Sequence, residues 1–359
     1  MVITRLGHHI ASGLFFFSLV FASLGVAFAS DDQDVMDEPA SLIEEIQLPE
    51  GLSSGQSIEI DATGRVWFVE KVGKHLVVYD PATKKFDTYR LPESWGAVGF
   101  SKFTMSPAGE IWFTVNKWAE GVEEPRMLGR FTPSDGYFTR YVLSIEAYPE
   151  EILVDAKGVI WFSAANTNSL YRVDPVKFSI KGYGIPTANS YPNNLTSDKN
   201  GHIWFVEGSA NKIGKFVPEK GVFYEYTVPT AFANPGKMSI DASGKVWFVE
   251  MGANRIGVFY PDLKRFDEAI IPTSNSSPNA ILHDNDDNVW FLEYRGNKVG
   301  YFNPKQAVFR EFDIPSFNSQ PGDMVIDRKR SVLWFTHSST EAKKIGRLSI
   351  SEALAESSK

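Results

Sequence analysis

The chain of 359 residues contains no cysteine. That excludes disulfides, a thiolate metal site and a cysteine nucleophile, and it leaves stability to packing alone. Basic clusters are missing as well. Lys and Arg number 36 against 44 Asp and Glu, a formal charge of −8. Such a chain lacks the footprint that nucleic acid requires, and no nucleic-acid partner is expected. No Gly-x-Ser-x-Gly, Walker loop or His-Glu-x-x-His occurs, so the commonest hydrolase, nucleotide and zinc-protease signatures are absent. No helical hydrophobic period of useful length runs along the chain.

One long apolar stretch is present, at the start. "MVITRLGHH" carries a single Arg and no acid, "IASGLFFFSLVFASLGVAFA" follows, and the stretch ends in Ala27-Phe28-Ala29. A basic start, an apolar core and an Ala-x-Ala end predict a secretory signal peptide over residues 1–29. The alternative is an uncleaved anchor, since the stretch nearly spans a bilayer. Cleavage removes Arg5 and takes the formal charge to −9. Residues 30–41 read as an acidic linker, 42–350 as one domain and 351–359 as a C-terminal tail. A periplasmic or secreted monomer with no membrane contact after cleavage is expected.

What the chain has in excess is one phrase. Aromatics reach 14%, and many sit in copies of an aliphatic residue followed by Trp-Phe. The tryptophans are Trp67, Trp112, Trp161, Trp204, Trp247, Trp290 and Trp334, spaced by 45, 49, 43, 43, 43 and 44 residues. A period near this length marks a propeller, a solenoid or an array. Each unit reads as four strands. In one of them, 237–240, 245–250, 255–260 and 265–271 are separated by "DASG", "MGAN" and "PDLK", where Asp, Asn, Gly and Pro suit turns. Val246, Trp247, Phe248 and Val249 are apolar without alternation, as in strands buried on both faces. Stacked propeller blades meet that demand. The last unit lacks an outer strand, while "LIEEIQLP" (42–49) stands spare before the first. The prediction is an all-β, seven-bladed propeller of four-stranded antiparallel blades, closed by the N-terminal strand completing the seventh.

Topology then sorts the loops. The second-to-third hairpins and the crossovers between blades share one face, and they are long and varied, as binding loops are. Two columns are expected there. One follows Trp-Phe by two residues: Glu70, Val115, Ala164, Glu207, Glu250, Glu293 and His337. The other opens each inner strand and should ring the channel mouth: Gln56, Ser101, Glu150, Asn193, Gly236, Asn279 and Gly322. Glu70, Glu207, Glu250 and Glu293 are candidate ligands for a divalent cation. The competing reading pairs each with a nearby base; Lys212, Arg255 and Lys298 follow three of them by five positions. His337 and Glu150 are the candidate catalytic groups. Trp118, Tyr148 and Tyr191 fall on the same face and suit stacking against a ring. The Asp column from Asp61 to Asp327 reads as turn chemistry, and Asn168, Asn211, Asn254 and Asn297 as hairpin corners.

"GKVWFVEMGANRIGVF", "GHIWFVEGSANKIGKF" and "NVWFLEYRGNKVGYF" resemble the virginiamycin B lyase (streptogramin lyase) family over residues 42–350. The resemblance implies a seven-bladed propeller with its site at the channel mouth. It also implies enzymes that open cyclic depsipeptide antibiotics by elimination, with a Mg ion, a His base and a Glu-x-His pair. In the family a Pro-His dipeptide opens the inner strand of blade six and Glu-Pro-His that of blade seven. Here those positions hold Asn279, then Gln320 and Gly322. Neither an amide nor a glycine takes a proton near neutral pH. The expectation is therefore a ligand-binding relative that holds a small molecule or peptide with Asn279, Gln320, Gly322, Asn193, Gln56, Tyr148, Tyr191 and Trp118. Two alternatives stand beside it. One is a lyase or metal-dependent, lactonase-like hydrolase with a relocated site. The other is a protein-interaction platform built on the loop 116–126.

Overall fold

The computed structural model describes residues 41–355 apart from 118–122 and 124. The expected signal peptide, Trp118 and most of the blade-two loop lie outside the described residues. The rest forms seven four-stranded antiparallel sheets. Each inner strand packs on the next, and the last, Pro321–Asp327, packs on the first, Gly55–Ile60. The ring is therefore closed.

Closure uses the spare strand. Ile43–Gln47 runs antiparallel to Lys344–Ser349, with Ile43 opposite Leu348 and Gln47 opposite Lys344. Glu44 and Arg347 pair across this seam at 2.7 Å. Blade seven thus has no bare edge where the chain ends meet.

The repeated phrase explains the packing between blades. Val66–Glu70, Ile203–Glu207, Val246–Glu250 and Val289–Glu293 are buried along their whole length. Their side chains serve two neighbours at once: Trp247 and Val249 of blade five pack in one cluster with Ile281, Val289 and Phe291 of blade six. Each fully buried Phe or Leu of this kind contributes about 1.5–3 kcal/mol. The glycine of the third strand is part of the same design. A Cβ on Gly257 would stand 2.2 Å from the Phe248 ring, and one on Gly300 would stand 2.1 Å from Phe291. Only glycine admits these rings.

On the face away from the mouth, the Asp column does more than turn. Asp61, Asp155, Asp198, Asp241 and Asp284 accept the indole N–H of the Trp six residues on, at 2.9–3.2 Å. On the mouth face an asparagine staples hairpin to crossover. Asn254, left-handed at φ 57°, donates to the carbonyls of Ile271 and Thr273 and accepts the N–H and hydroxyl of Ser276. Asn168 and Asn297 repeat the arrangement. These staples hold the loops that frame the mouth.

Candidate functional site at the channel mouth

A cavity of about 730 Å³ opens on the mouth face. Of the candidate catalytic and binding residues, Tyr148, Glu150, Tyr191, Asn193 and Asn279 line it, with Ser101 and Gly236 of the mouth column. Gln56, Gln320 and Gly322 do not. The cavity is off-centre, walled by blades two to five and touching blade six only at Asn279. Its chemistry is mixed. Asn116, Asn193, Asn194 and Asn234 bring carboxamides, Lys102 and Lys237 bring positive charge, and Met251 is apolar. The Tyr191 hydroxyl bonds Glu150, whose charge raises the phenol above its ordinary value.

Below the mouth the channel narrows to a chamber of about 260 Å³ lined by Glu59, Lys102, Glu151, Lys237 and Asp323. Lys102 pairs with Glu151 at 3.7 Å, and Lys237 pairs with Asp323. Burial, then the charge of Asp323, push Glu59 up to about 7. Sequence reasoning missed this belt. Lys102, Glu151, Lys237 and Asp323 come one residue after the mouth column, where strand alternation assigns the opposite face. The inner strands are irregular there: register shifts between Phe100 and Phe103, between Pro235 and Met238, and between Pro321 and Met324. A bulge re-aims the side chain that follows it. The signal available in the sequence was the charge at these aligned positions.

The Glu column is not on the rim. Glu70, Glu207, Glu250 and Glu293 are 0–2% exposed, each inside its own blade. The structure does not bring the four together, and among the described residues no group of three His, Asp or Glu stands close enough to hold a metal ion. Three of them meet a second glutamate on the outer strand instead: Glu207 with Glu225, Glu250 with Glu268, Glu293 with Glu311. Burial, then the neighbouring carboxylate, raise Glu207 to about 7 and Glu250 and Glu293 to about 8. The outer partners carry the salt bridges, to Lys212, Arg255 and Lys298. They also accept the N–H of Thr187, Thr230 and Thr273 on the preceding crossover. In blade one the pattern changes: Glu70 bonds His75 at 2.5 Å and the N–H of Ser53.

His337 is the blade-seven member of this column, and it too is sealed, at 0% exposure. Its ring stacks on Phe335 with centroids 5.3 Å apart. Nε2 lies 3.6 Å from Glu45, which takes the place that Glu225, Glu268 and Glu311 hold elsewhere. Glu45 accepts the N–H and hydroxyl of Ser316 and the ammonium of Lys344. Burial pushes His337 down to about 4, against the charge of Glu45. The expected catalytic histidine is thus sealed inside blade seven and does not line the mouth cavity.

The positions of the family's proton-transfer groups form a structural clamp. The Asn279 amide donates to the carbonyls of Pro321 and Gly322, at 2.9 and 3.0 Å. The Tyr294 hydroxyl donates to Gln320 at 2.9 Å. A Cβ on Gly322 would stand 2.1 Å from the Ser338 hydroxyl. Blade six is tied to blade seven here through side-chain amides, a phenol and backbone carbonyls.

Comparison with known proteins agrees with this architecture. The profile of the virginiamycin B lyase family matches residues 41–348. Virginiamycin B lyase from Staphylococcus aureus superposes with a TM-score of 0.75 at 28% identity, over 86% of this chain and 98% of that one. A catalytically inactive histidine-to-alanine variant of the S. aureus enzyme, solved with quinupristin, matches at 27% identity and TM-score 0.75, over 86% and 98%. A streptogramin B lyase structure matches at 26% and 0.74, over 85% and 96%. No curated protein sequence matches.

Proposed function

The chain belongs to the virginiamycin B lyase family, and on that footing we propose that it binds a small molecule or peptide at the channel mouth without the family's elimination chemistry. One observation carries this reading. The cavity is built by blades two to five, while the positions matching the family's His, Glu and second His hold Asn279, Gln320 and Gly322, with Asn279 bonded to the Pro321 and Gly322 carbonyls and Gln320 to Tyr294. The cavity offers carboxamides, two tyrosines and both signs of charge, a lining suited to a polar ligand with a ring.

The residues do not fit the magnesium that the family resemblance implies. Asn279, Gln320 and Gly322 supply no carboxylate, and Glu70, Glu207, Glu250 and Glu293 are buried in separate blades.

The test is incubation of the purified protein with quinupristin and magnesium, followed by chromatography and mass spectrometry. The intact depsipeptide should be recovered; rapid ring opening would overturn the reading. A second reading, an enzyme with a relocated site, rests on Glu150, the one carboxylate of the mouth column that faces the cavity beside a tyrosine hydroxyl. A lactone panel turned over by the parent and not by Glu150→Gln would favour it.

Location outside the cytoplasm belongs to the same proposal and rests on residues 1–29; a monomeric state is proposed beside it. No described helix is long and apolar enough to cross a membrane. Sequencing the N-terminus of the mature protein, which should begin at Ser30, tests the first; sedimentation tests the second.

A further inference from the structure

Four crossovers on the mouth face share one build, and one of them departs from it. Asn189, Asn275 and Asn318 take left-handed backbone angles at equivalent positions, φ 53°, 54° and 50°. Asparagine tolerates that conformation. The equivalent residue in the crossover between blades four and five is Phe232, at φ 55°. A bulky aromatic is an outlier there. The next residue departs too. Ser190, Ser276 and Ser319 each give an N–H and a hydroxyl to the stapling asparagine. Ala233 has no hydroxyl to give, and the buried Asn211 Oδ1 makes no hydrogen bond among the described residues.

These losses are not repaid in the core, because Phe232 is 89% exposed. Nor is the loop loose. Thr230 bonds Glu268 through its N–H and hydroxyl. Asn211 donates to the carbonyls of Val228 and Thr230. The N–H groups of Met251 and Gly252 reach the carbonyls of Asn234 and Ala233. Asn234 and Pro235 at the end of the same crossover, and Met251 of the adjoining hairpin, line the mouth cavity. A strained, exposed aromatic on a rigid loop beside a cavity breaks local rules where function is expected to break them.

We propose that Phe232, with Met251, forms an apolar subsite on the lip of the mouth. It takes an aromatic or branched apolar group of a ligand whose polar part lies against the carboxamides and Lys237 within. The inference rests on reading the mouth as a binding site and adds the ligand's character: polar at one end, apolar at the other.

Anilinonaphthalene sulfonate, an aromatic anion, is the probe. The full chain should bind it saturably with enhanced, blue-shifted fluorescence. Phe232→Asn should weaken that binding about tenfold, and it should melt no lower than the parent because asparagine suits the backbone. Phe317→Ser removes an aromatic that is 97% exposed on the equivalent crossover between blades six and seven, none of whose residues lines the cavity, and it should leave binding unchanged. The inference is overturned if the parent shows no saturable binding, if Phe232→Asn binds as tightly, or if Phe317→Ser weakens binding equally. A protein that takes the dye through Phe232 but binds nothing from a panel of peptides and small molecules would keep the lip and lose the wider functional reading.

Discussion

Glu250 and Glu268 face one another inside blade five, with Glu250 wholly out of water. Burial, then the charge of Glu268, raise the Glu250 carboxyl to about 8. Glu207 and Glu293 repeat the arrangement at about 7 and about 8. The three folded-state values lie above that of an unfolded glutamate, so the folded chain binds more protons than the unfolded chain between them. Stability is therefore fully present below about pH 4.5 and falls as pH rises toward 7–8, by up to about 1.4 kcal/mol per pH unit for each proton. Chemical denaturation from pH 5 to 9 should show this decline. Replacing all three inner residues by glutamine should flatten it; an unchanged slope would mean the carboxyl pairs do not share protons.

His337 supplies blade seven with the same neutral partner without a bound proton. Its folded value, about 4, lies below that of an unfolded histidine. Its contribution is present above about pH 6.5 and is lost as pH falls toward 4, the opposite sense to the glutamates. His337→Glu should place a fourth carboxyl pair against Glu45. The variant should fold at pH 6, lose stability faster than the parent above pH 7, and leave ligand binding at the mouth unchanged. A loss of binding at pH 6 with an intact melting curve would return His337 to the site.

Ring closure gives a third test. Deleting residues 41–47 removes the outer strand of blade seven and bares the strand Lys344–Ser349. It also strips Ser316 and Lys344 of Glu45. An unpaired edge next to a buried histidine should yield an aggregating or cooperatively unfolded protein rather than a six-and-three-quarter-bladed one. Size-exclusion chromatography and circular dichroism would show it; a monomer with parental melting would remove closure as a source of stability.

The repeat was legible because its grammar is local. Trp-Phe, the turn Asp and the third-strand Gly each serve one blade and its neighbour, and the same contact recurs at every copy. Even the spare strand 42–49 announced its place. The mouth was less legible. Lys102, Lys237 and Asp323 escaped because a bulge breaks the two-residue alternation, and Glu151 because it stands just before its strand begins. Glu207, Glu250 and Glu293 were placed on the rim because a charged residue at a strand end normally seeks water. Their partners Glu225, Glu268 and Glu311, each 18 residues on, were the overlooked sign that a proton replaces the solvent.

Asn279 can be tested apart from any ligand. Its amide ties blade six to the carbonyls of Pro321 and Gly322. Asn279→Ala should cost about 1–3 kcal/mol, the loss of two bonds to part-buried backbone. Asn279→His should lose as much unless the imidazole reaches the same carbonyls. Urea denaturation separates the cases, and a neutral alanine variant would mean the clamp is idle.

Gly322 decides whether family chemistry can be put back. The resemblance calls for a histidine there, but a side chain at 322 meets the Ser338 hydroxyl at 2.1 Å and Thr336 at 3.1 Å. Ser338 is buried, and its N–H is held by the Gln320 carbonyl, so the backbone around it has little room to retreat. Gly322→His alone should destabilise by about 1–3 kcal/mol through overpacking. Adding Ser338→Gly should recover most of that loss, because the obstacle is a side chain and not the main chain. The triple change Asn279→His, Gln320→Glu, Gly322→His should therefore remain silent toward quinupristin, while the quadruple change with Ser338→Gly is the smallest set that can present an imidazole pair to the mouth. Ring opening by the triple variant, or a Gly322→His protein that melts with the parent, would show that sterics at Ser338 do not keep this propeller from the family's reaction.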